Sequence, residues 1–169
     1  MRRYRKLIWL LLTVAVSAGA EAGIEGRIVG YGTYTVTDNY KQTKTPGSTS
    51  DVSRFYMDPP TFTAVTDHIR ARRGVRFGIV FELTNLPKIQ NAKVNVVLVS
   101  KNPPLRNPDG TTSTGVKEPV RIAVRGRDRI VSWTGFGFEH DSDLVPGTWT
   151  FEVRTSSRML CKKDFTVVR

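Results

Sequence analysis

The feature that most limits the fold of this chain is a two-residue alternation of apolar and polar side chains. It is clearest at 75–83, where every odd position is apolar and Arg76 and Glu82 point the other way. The alternation recurs at 93–99 and 148–154, whereas apolar residues at helical spacing are nearly absent. The pattern therefore predicts an all-β domain and excludes an α/β fold.

Turn-forming residues separate the alternating segments. Pro and Gly pairs such as 146–147 are typical of tight turns between strands. About seven or eight short strands joined in this way favour an immunoglobulin-like antiparallel β-sandwich over a barrel. Two polar stretches rich in turn residues, 38–53 and 102–115, are predicted as long loops. Weaker strand candidates lie at 27–36, 63–69, 120–125 and 128–133.

The N-terminus has the order of a secretory signal peptide. Four basic residues precede an apolar run at 7–16, and small residues follow up to Ala22. Because a membrane span needs about 20 apolar residues, this run is too short for an anchor. We predict cleavage of a signal peptide at 1–22. The remaining single β-sandwich domain, 23–169, is expected in the periplasm or outside the cell, and it does not span a membrane after cleavage.

The chain carries a formal net charge of +11, and the predicted signal peptide accounts for +3 of it, which leaves +8 on the domain. The one cysteine, Cys161, cannot form an internal disulfide, and we expect it to be a structural residue that is at least half-buried.

Arginines form two groups along the sequence, and they would make one positive surface if the fold brings them together. Such a surface binds phosphate, sulfate or carboxylate groups through bidentate contacts. Arginines spread over the surface would instead only add to its net charge. Nucleic acid is a disfavoured ligand, because the chain is predicted to be exported and has no alternation of aromatic and basic residues. The candidate anion-binding residues are Arg70, Arg72, Arg73, Arg76, Arg121, Arg125, Arg127 and Arg129.

The sequence offers little for catalysis or metal binding. Neither of its two histidines, His68 and His140, accompanies a nucleophile motif such as G-x-S-x-G. His140 lies among carboxylates at 139–143, but neighbouring strand residues point to opposite faces and zinc needs three or four convergent ligands. A solvated loop explains this run better. We therefore predict a protein that is not an enzyme, with no catalytic residue, no cofactor and no metal.

Three aromatic residues separated by glycines, Trp133, Phe136 and Phe138, are candidates for a glycan-binding platform. At strand spacing Phe136 and Phe138 share one face, and Trp133 joins them only if a bulge intervenes. Core packing is the commoner role of such aromatics, and we expect it here.

A spaced pattern resembles a family of exported bacterial domains of unknown function. It consists of T-D-x-I at 66–69, G-x-x-F-G at 74–78, P-P at 103–104, P-G-x-W-x-F at 146–151 and F-x-V at 165–167. The resemblance implies an immunoglobulin-like sandwich in a periplasmic or extracellular setting. It implies no activity, cofactor or catalytic residue.

These features together favour a non-enzymatic, exported binding module whose partner is a protein or another component of the bacterial cell envelope. The alternative is an accessory domain that binds an anion or glycan through an arginine-rich face. A cluster of arginines on one surface would favour the alternative, and an apolar exposed edge strand would favour a protein partner.

Overall fold

The computed structural model of the chain describes residues 23–37, 39–44, 52–56, 59–107 and 110–169. The predicted signal peptide lies outside the described residues. The described part of the chain contains eleven strands and one short 3₁₀ turn at Asp141–Asp143. The strands are β1 (Glu25–Thr35), β2 (Tyr40–Lys44), β3 (Val52–Tyr56), β4 (Thr61–Ala64), β5 (His68–Arg70), β6 (Arg76–Thr84), β7 (Lys93–Arg106), β8 (Thr112–Ala123), β9 (Ile130–Gly137), β10 (Gly147–Arg154) and β11 (Met159–Val168).

Nine of these strands form the predicted immunoglobulin-like sandwich. One sheet has the order β4-β1-β6-β9 and the other β5-β11-β10-β7-β8, while β2 and β3 pair separately. All described pairs in the sandwich are antiparallel except β5 with β11, which is parallel. The sandwich exceeds the predicted seven or eight strands partly because β5 has only three residues, too few to show alternation.

The core lies between the central strands β6 and β10, where the alternation is most regular. Phe77 and Trp149 are both buried, and their ring centroids lie 5.7 Å apart. Phe77 also has its ring centroid within 5.3–5.7 Å of those of Phe138, Phe151 and Phe165. Since aromatic side chains bury large apolar areas, this cluster is the main packing contact between the two sheets.

The two stretches predicted as loops contain strands, so that prediction is wrong. Residues 102–115 belong mostly to the β7–β8 hairpin, whose register shifts between Lys101 and Leu105 around the two prolines. The shift explains the misreading, because a bulge accommodates prolines that a regular ladder excludes. Gly115 has φ of +140°, and a Cβ there would lie 2.0 Å from the Ser100 carbonyl oxygen. The stretch 38–53 likewise supplies strands, since β2 pairs with β3.

The loops lie at two opposite ends of the sandwich. The apical end contains the loops at 71–75 and 138–146, next to the pair Arg76 and Gly137. The basal end contains the loops at 85–92 and 124–129, next to the pair Leu83 and Ile130. At about 3.3 Å per residue, the length of β6 separates the ends by roughly 25 Å. The basal end also includes Gly23, Ile24 and the turn at 155–158, because Arg158 Nη2 donates to the Ile24 carbonyl.

Candidate functional site

The fold divides the eight candidate arginines between distant places. Arg70, Arg72, Arg73 and Arg76 lie at or near the apical end, whereas Arg125, Arg127 and Arg129 lie at the basal end. Arg121 lies on β8, where its Nε donates to Asn95 Oδ1 at 3.2 Å. The single positive surface expected from the sequence therefore does not form. Anion binding by either group stays a prediction.

The apical arginines lie beside carboxylates. Arg76 Nη2 is 3.7 Å from Glu139 Oε1, and Arg73 Nε is 3.9 Å from Asp141 Oδ1. Arg73 Nε also donates to the Glu139 carbonyl at 3.2 Å. Nearby acidic groups reduce the positive potential that an anion would meet, so this end is a poor anion site.

A buried carboxylate organises the apical loop that the sequence predicted to be a solvated run. Asp143 is 1% exposed, and its Oδ2 accepts hydrogen bonds from the backbone N–H groups of Glu139 and His140 at 3.0 and 2.8 Å. His140 itself is exposed. Sequence analysis missed Asp143, although an acidic residue that accepts from backbone N–H groups three and four positions earlier is a common turn arrangement. Within the described ranges, no three His, Cys, Asp or Glu residues are arranged to hold a metal ion.

The proposed aromatic platform does not form, because its members lie on opposite faces of one sheet. β9 pairs with β6 without a register shift, so Trp133 faces away from Phe136 and Phe138. Phe138 is fully buried, and the Phe136 ring centroid lies 4.8 Å from that of Trp149. Both phenylalanines are therefore core residues, as expected, and Trp133 is a half-buried residue of the outer face.

The outer faces of the two sheets each carry a buried glutamate beside two cations. Glu82 lies 3.1 Å from Arg27 Nη2 and 3.9 Å from Arg129 Nη1. On the other sheet, Glu152 pairs with Lys101 and with Arg154 Nη1. Burial opposes ionisation of Glu152, but hydrogen bonds from these two cations outweigh it and lower its pKa. Arg129 is thus part of an ion pair on the outer face of its sheet.

Among the described residues, the contacts of His68 and Cys161 are those of structural side chains. His68 is exposed, with Nε2 3.8 Å from Asp67 Oδ1, and that carboxylate is also held at 3.0 Å by Lys163 Nζ. Cys161 is half-buried, and desolvation raises the pKa of its thiol to about 11. A neutral thiol is a weak nucleophile, so Cys161 has a structural environment.

The two long edge strands differ in how they are protected against pairing with another chain. β8 carries Lys117, Glu118, Pro119 and Arg121, and both charges and proline discourage edge-to-edge pairing. β9 has the sequence IVSWTGFG, with no charge and no proline. Among the described residues, β9 pairs only with β6, and the other edge of β9 has no partner strand.

One backbone hydrogen bond fixes which groups of β9 point to the open side. The Phe138 N–H donates to the Val75 carbonyl at 3.0 Å. Hydrogen-bonded and non-hydrogen-bonded pairs alternate along an antiparallel ladder. The N–H and C=O groups of Val131, Trp133 and Gly135 therefore point away from β6. On the outer face of β9 itself lies the side chain of Val131, which is 51% exposed.

A family model described as "Domain of unknown function (DUF3859)" matches residues 24–167. The chain belongs to this family. The match covers nearly all of the domain, and it confirms the family resemblance that the motif spacing indicates. It assigns the DUF3859 domain no activity.

The fold of this DUF3859 domain is similar to that of solved structures. An immunoglobulin-like protein (PA1606) from Pseudomonas aeruginosa has 22% sequence identity and a TM-score of 0.57, covering 89% of this chain and all of that one. A β-glucosidase from Listeria innocua has 16% identity and a TM-score of 0.42, covering 63% of this chain and 15% of the enzyme. A β-glucosidase from Kluyveromyces marxianus has 11% identity and a TM-score of 0.39, covering 86% of this chain and 14% of the enzyme.

The first of these likenesses supports the immunoglobulin-like fold, and the other two are too distant to bear on activity. No curated protein matches the chain. Within the described ranges there is no helix with the length and hydropathy of a membrane span.

Proposed function

We propose that this DUF3859 protein is an exported, non-enzymatic binding module of the bacterial cell envelope. Its partner is a protein that adds an extended segment to the open edge of β9. The observation that carries the proposal is the contrast between β9 and β8. β8 is protected by charges and a proline, whereas β9 is uncharged, carries the exposed side chain of Val131, and has one edge with no partner strand among the described residues.

Strand addition uses two kinds of contact, and β9 offers both. Backbone groups at 131, 133 and 135 supply the hydrogen bonds that give affinity. Alternate side chains of the added strand would lie on the outer face beside Val131, which gives specificity. The alternative, an accessory domain that binds an anion or glycan through one arginine-rich face, lacks support because the arginines are divided between two ends.

Backbone pairing is tested at one position with two substitutions. Val131→Pro removes an N–H that points away from β6, so it blocks an added strand and leaves the existing ladder intact. Val131→Ala keeps that N–H and removes only side-chain area. Envelope extracts are passed over each immobilised protein, and the retained proteins are quantified by mass spectrometry. We expect a partner retained by the native protein to be lost with proline and largely kept with alanine.

Two results would contradict strand addition. Equal retention by the proline variant would show that the edge of β9 is not used. Equal loss in both variants would indicate that only the valine side chain matters. Thermal unfolding of each variant checks that the sandwich is intact.

Export is tested by expressing the full chain in a bacterium and fractionating the cells. We expect the protein outside the cytoplasm with Gly23 as its first residue. Ala22→Leu alters the small-residue cleavage site and should leave a longer, membrane-held chain. An intact Met1 on the native protein in the membrane fraction would refute cleavage.

A further inference from the structure

We infer that the basal end of the sandwich docks on a membrane surface that carries anionic phospholipids. The inference uses a surface remote from the edge of β9, and it does not depend on the proposed strand addition. It follows from three features of this end: cations without carboxylate partners, one exposed isoleucine, and the point where the N-terminal segment joins the domain.

Basic residues outnumber acidic ones at the basal end. The acidic residues there are Glu25 and Asp128. Two of the basic residues are engaged, because Arg129 lies beside Glu82 and Arg158 donates to a backbone carbonyl. The other four have no carboxylate within salt-bridge distance among the described residues. These four are Lys88, Lys93, Arg125 and Arg127.

Two loops hold these cations close together. The Val124 N–H donates to the Ala92 carbonyl at 2.9 Å, which joins the 124–129 loop to the 85–92 loop. The Arg127 N–H in turn donates to the Val124 carbonyl at 3.1 Å. Arg125 has φ of +52°, so it lies in a tight turn at the surface. The cations thus form one surface, and their number suits a two-dimensional array of phosphates rather than one bound anion.

Ile89 follows Lys88 in the 85–92 loop of this basic end, and its side chain is 71% exposed. A single exposed isoleucine is ordinary by itself. An exposed apolar residue on a basic surface can bind a membrane interface, with the apolar group at the acyl boundary and the cations on the headgroups. A polysaccharide or an acidic protein surface would match the cations but offers no apolar layer for Ile89.

The N-terminal segment joins the domain at the same end. The apolar run closes at Val16, and seven residue steps lead from it to Gly23. Even fully extended, those steps span roughly 25 Å. Until the predicted cleavage, a precursor whose apolar run is engaged in the membrane would therefore keep the basal end within that distance of the bilayer.

Vesicle binding tests the inference with the protein recovered from cells expressing the full chain. Vesicles of phosphatidylcholine alone are compared with vesicles containing about one third phosphatidylglycerol. We expect sedimentation with the anionic vesicles only, and release at high salt. The basal triple variant Lys88→Gln, Arg125→Asn, Arg127→Gln should lower the partition constant about 100-fold, from about fivefold per basic residue near an anionic surface.

A matched control removes three charges at the other end of the domain. The apical triple variant Arg70→Gln, Arg72→Gln, Arg169→Gln has the same net charge as the basal triple variant. We expect it to keep most of the binding. Equal loss in both variants would overturn the inference, because net charge alone would then explain the attraction.

Two further binding measurements distinguish a lipid surface from other anionic ligands. One uses the Ile89→Ser variant, and the other uses a soluble polyanion in place of vesicles. Ile89→Ser should lower binding to anionic vesicles about tenfold, from the free energy of burying part of one aliphatic side chain. Dextran sulfate provides the comparison, because it offers charge without an acyl layer, and Ile89→Ser should not change its binding. Binding to dextran sulfate without binding to vesicles would overturn the lipid assignment. Equal binding to both vesicle types would do the same.

Discussion

The apical and basal ends of the sandwich differ in how far their loop residues are buried and hydrogen-bonded. The apical end is closed by packing and by internal hydrogen bonds: Trp149 is buried against Phe136 and Phe138, and Asp143 holds the 138–146 loop. The basal end also has buried apolar residues, among them Leu86 and Val124 of its two loops, but Lys88 and Ile89 are exposed to solvent. The clearest difference lies in the charged groups: Asp143 of the apical end is buried and hydrogen-bonded, whereas Lys88, Arg125 and Arg127 of the basal end are exposed.

The two ends differ in which of their charged groups remain available to a partner. Groups that satisfy one another inside the molecule contribute to its stability and are unavailable to a partner. Groups left unpaired at the surface contribute little to folding and are available for binding. Substitutions at the two ends should therefore affect different measurements.

The largest effect is expected from Trp149→Ala at the apical end. Truncation of a buried Trp typically costs about 3–5 kcal/mol. It also removes the hydrogen bond from Trp149 Nε1 to the Val145 carbonyl at 3.2 Å. Urea unfolding should show a strongly lowered midpoint, or the protein should fail to accumulate. Trp133→Ala on the outer face is the control, and we expect a smaller loss. An unchanged midpoint for Trp149→Ala would remove the basis for calling the apical end structural.

A smaller effect is expected from Asp143→Ala. The substitution leaves the N–H groups of Glu139 and His140 without their acceptor, and an unsatisfied buried donor costs about 1–3 kcal/mol. Asp143→Asn keeps an acceptor oxygen and should recover part of the loss.

The matched substitution at the basal end is Asp128→Ala, because Asp128 is also a loop carboxylate but is exposed. We expect Asp128→Ala to change the free energy of unfolding of the protein by less than about 0.5 kcal/mol. If Asp128→Ala and Asp143→Ala had equal effects, the two ends would not differ as described.

Smaller still is the effect of the basal triple variant on stability. Each of Lys88, Arg125 and Arg127 is exposed, so its removal should change the unfolding free energy by less than about 0.5 kcal/mol. Relief of repulsion among like charges should make the sum neutral or slightly stabilising. The same variant is expected to lose vesicle binding, so a large loss of stability would show that the basal charges belong to the fold.

Alternation in sequence was sufficient to predict the sandwich and its core, because β6 and β10 are buried on the inner face at every second position. It could not predict that β7 continues through Pro103 and Pro104, since a bulge breaks the two-residue period. The division of the arginines was also beyond sequence reasoning. Arg76 and Arg129 lie at opposite ends of one strand pair, and the register that decides this is a property of the folded sheet.

Cys161 tests whether the strands near the basal end are as firmly packed as the rest of the core. It lies opposite Val153, close to the turn at 155–158, and desolvation raises the pKa of its thiol to about 11. At pH 8 a thiol with that pKa has about 100-fold less thiolate than one with an ordinary pKa near 9, so alkylation by iodoacetamide should be slow. The rate should rise as the pH approaches 11, because only the thiolate reacts, and unfolding in urea should remove the protection at pH 8. Mass spectrometry of the alkylated protein measures both. Rapid alkylation of the native protein at pH 8 would mean that the strands open at this end, so that the basal surface could not hold its cations in one arrangement.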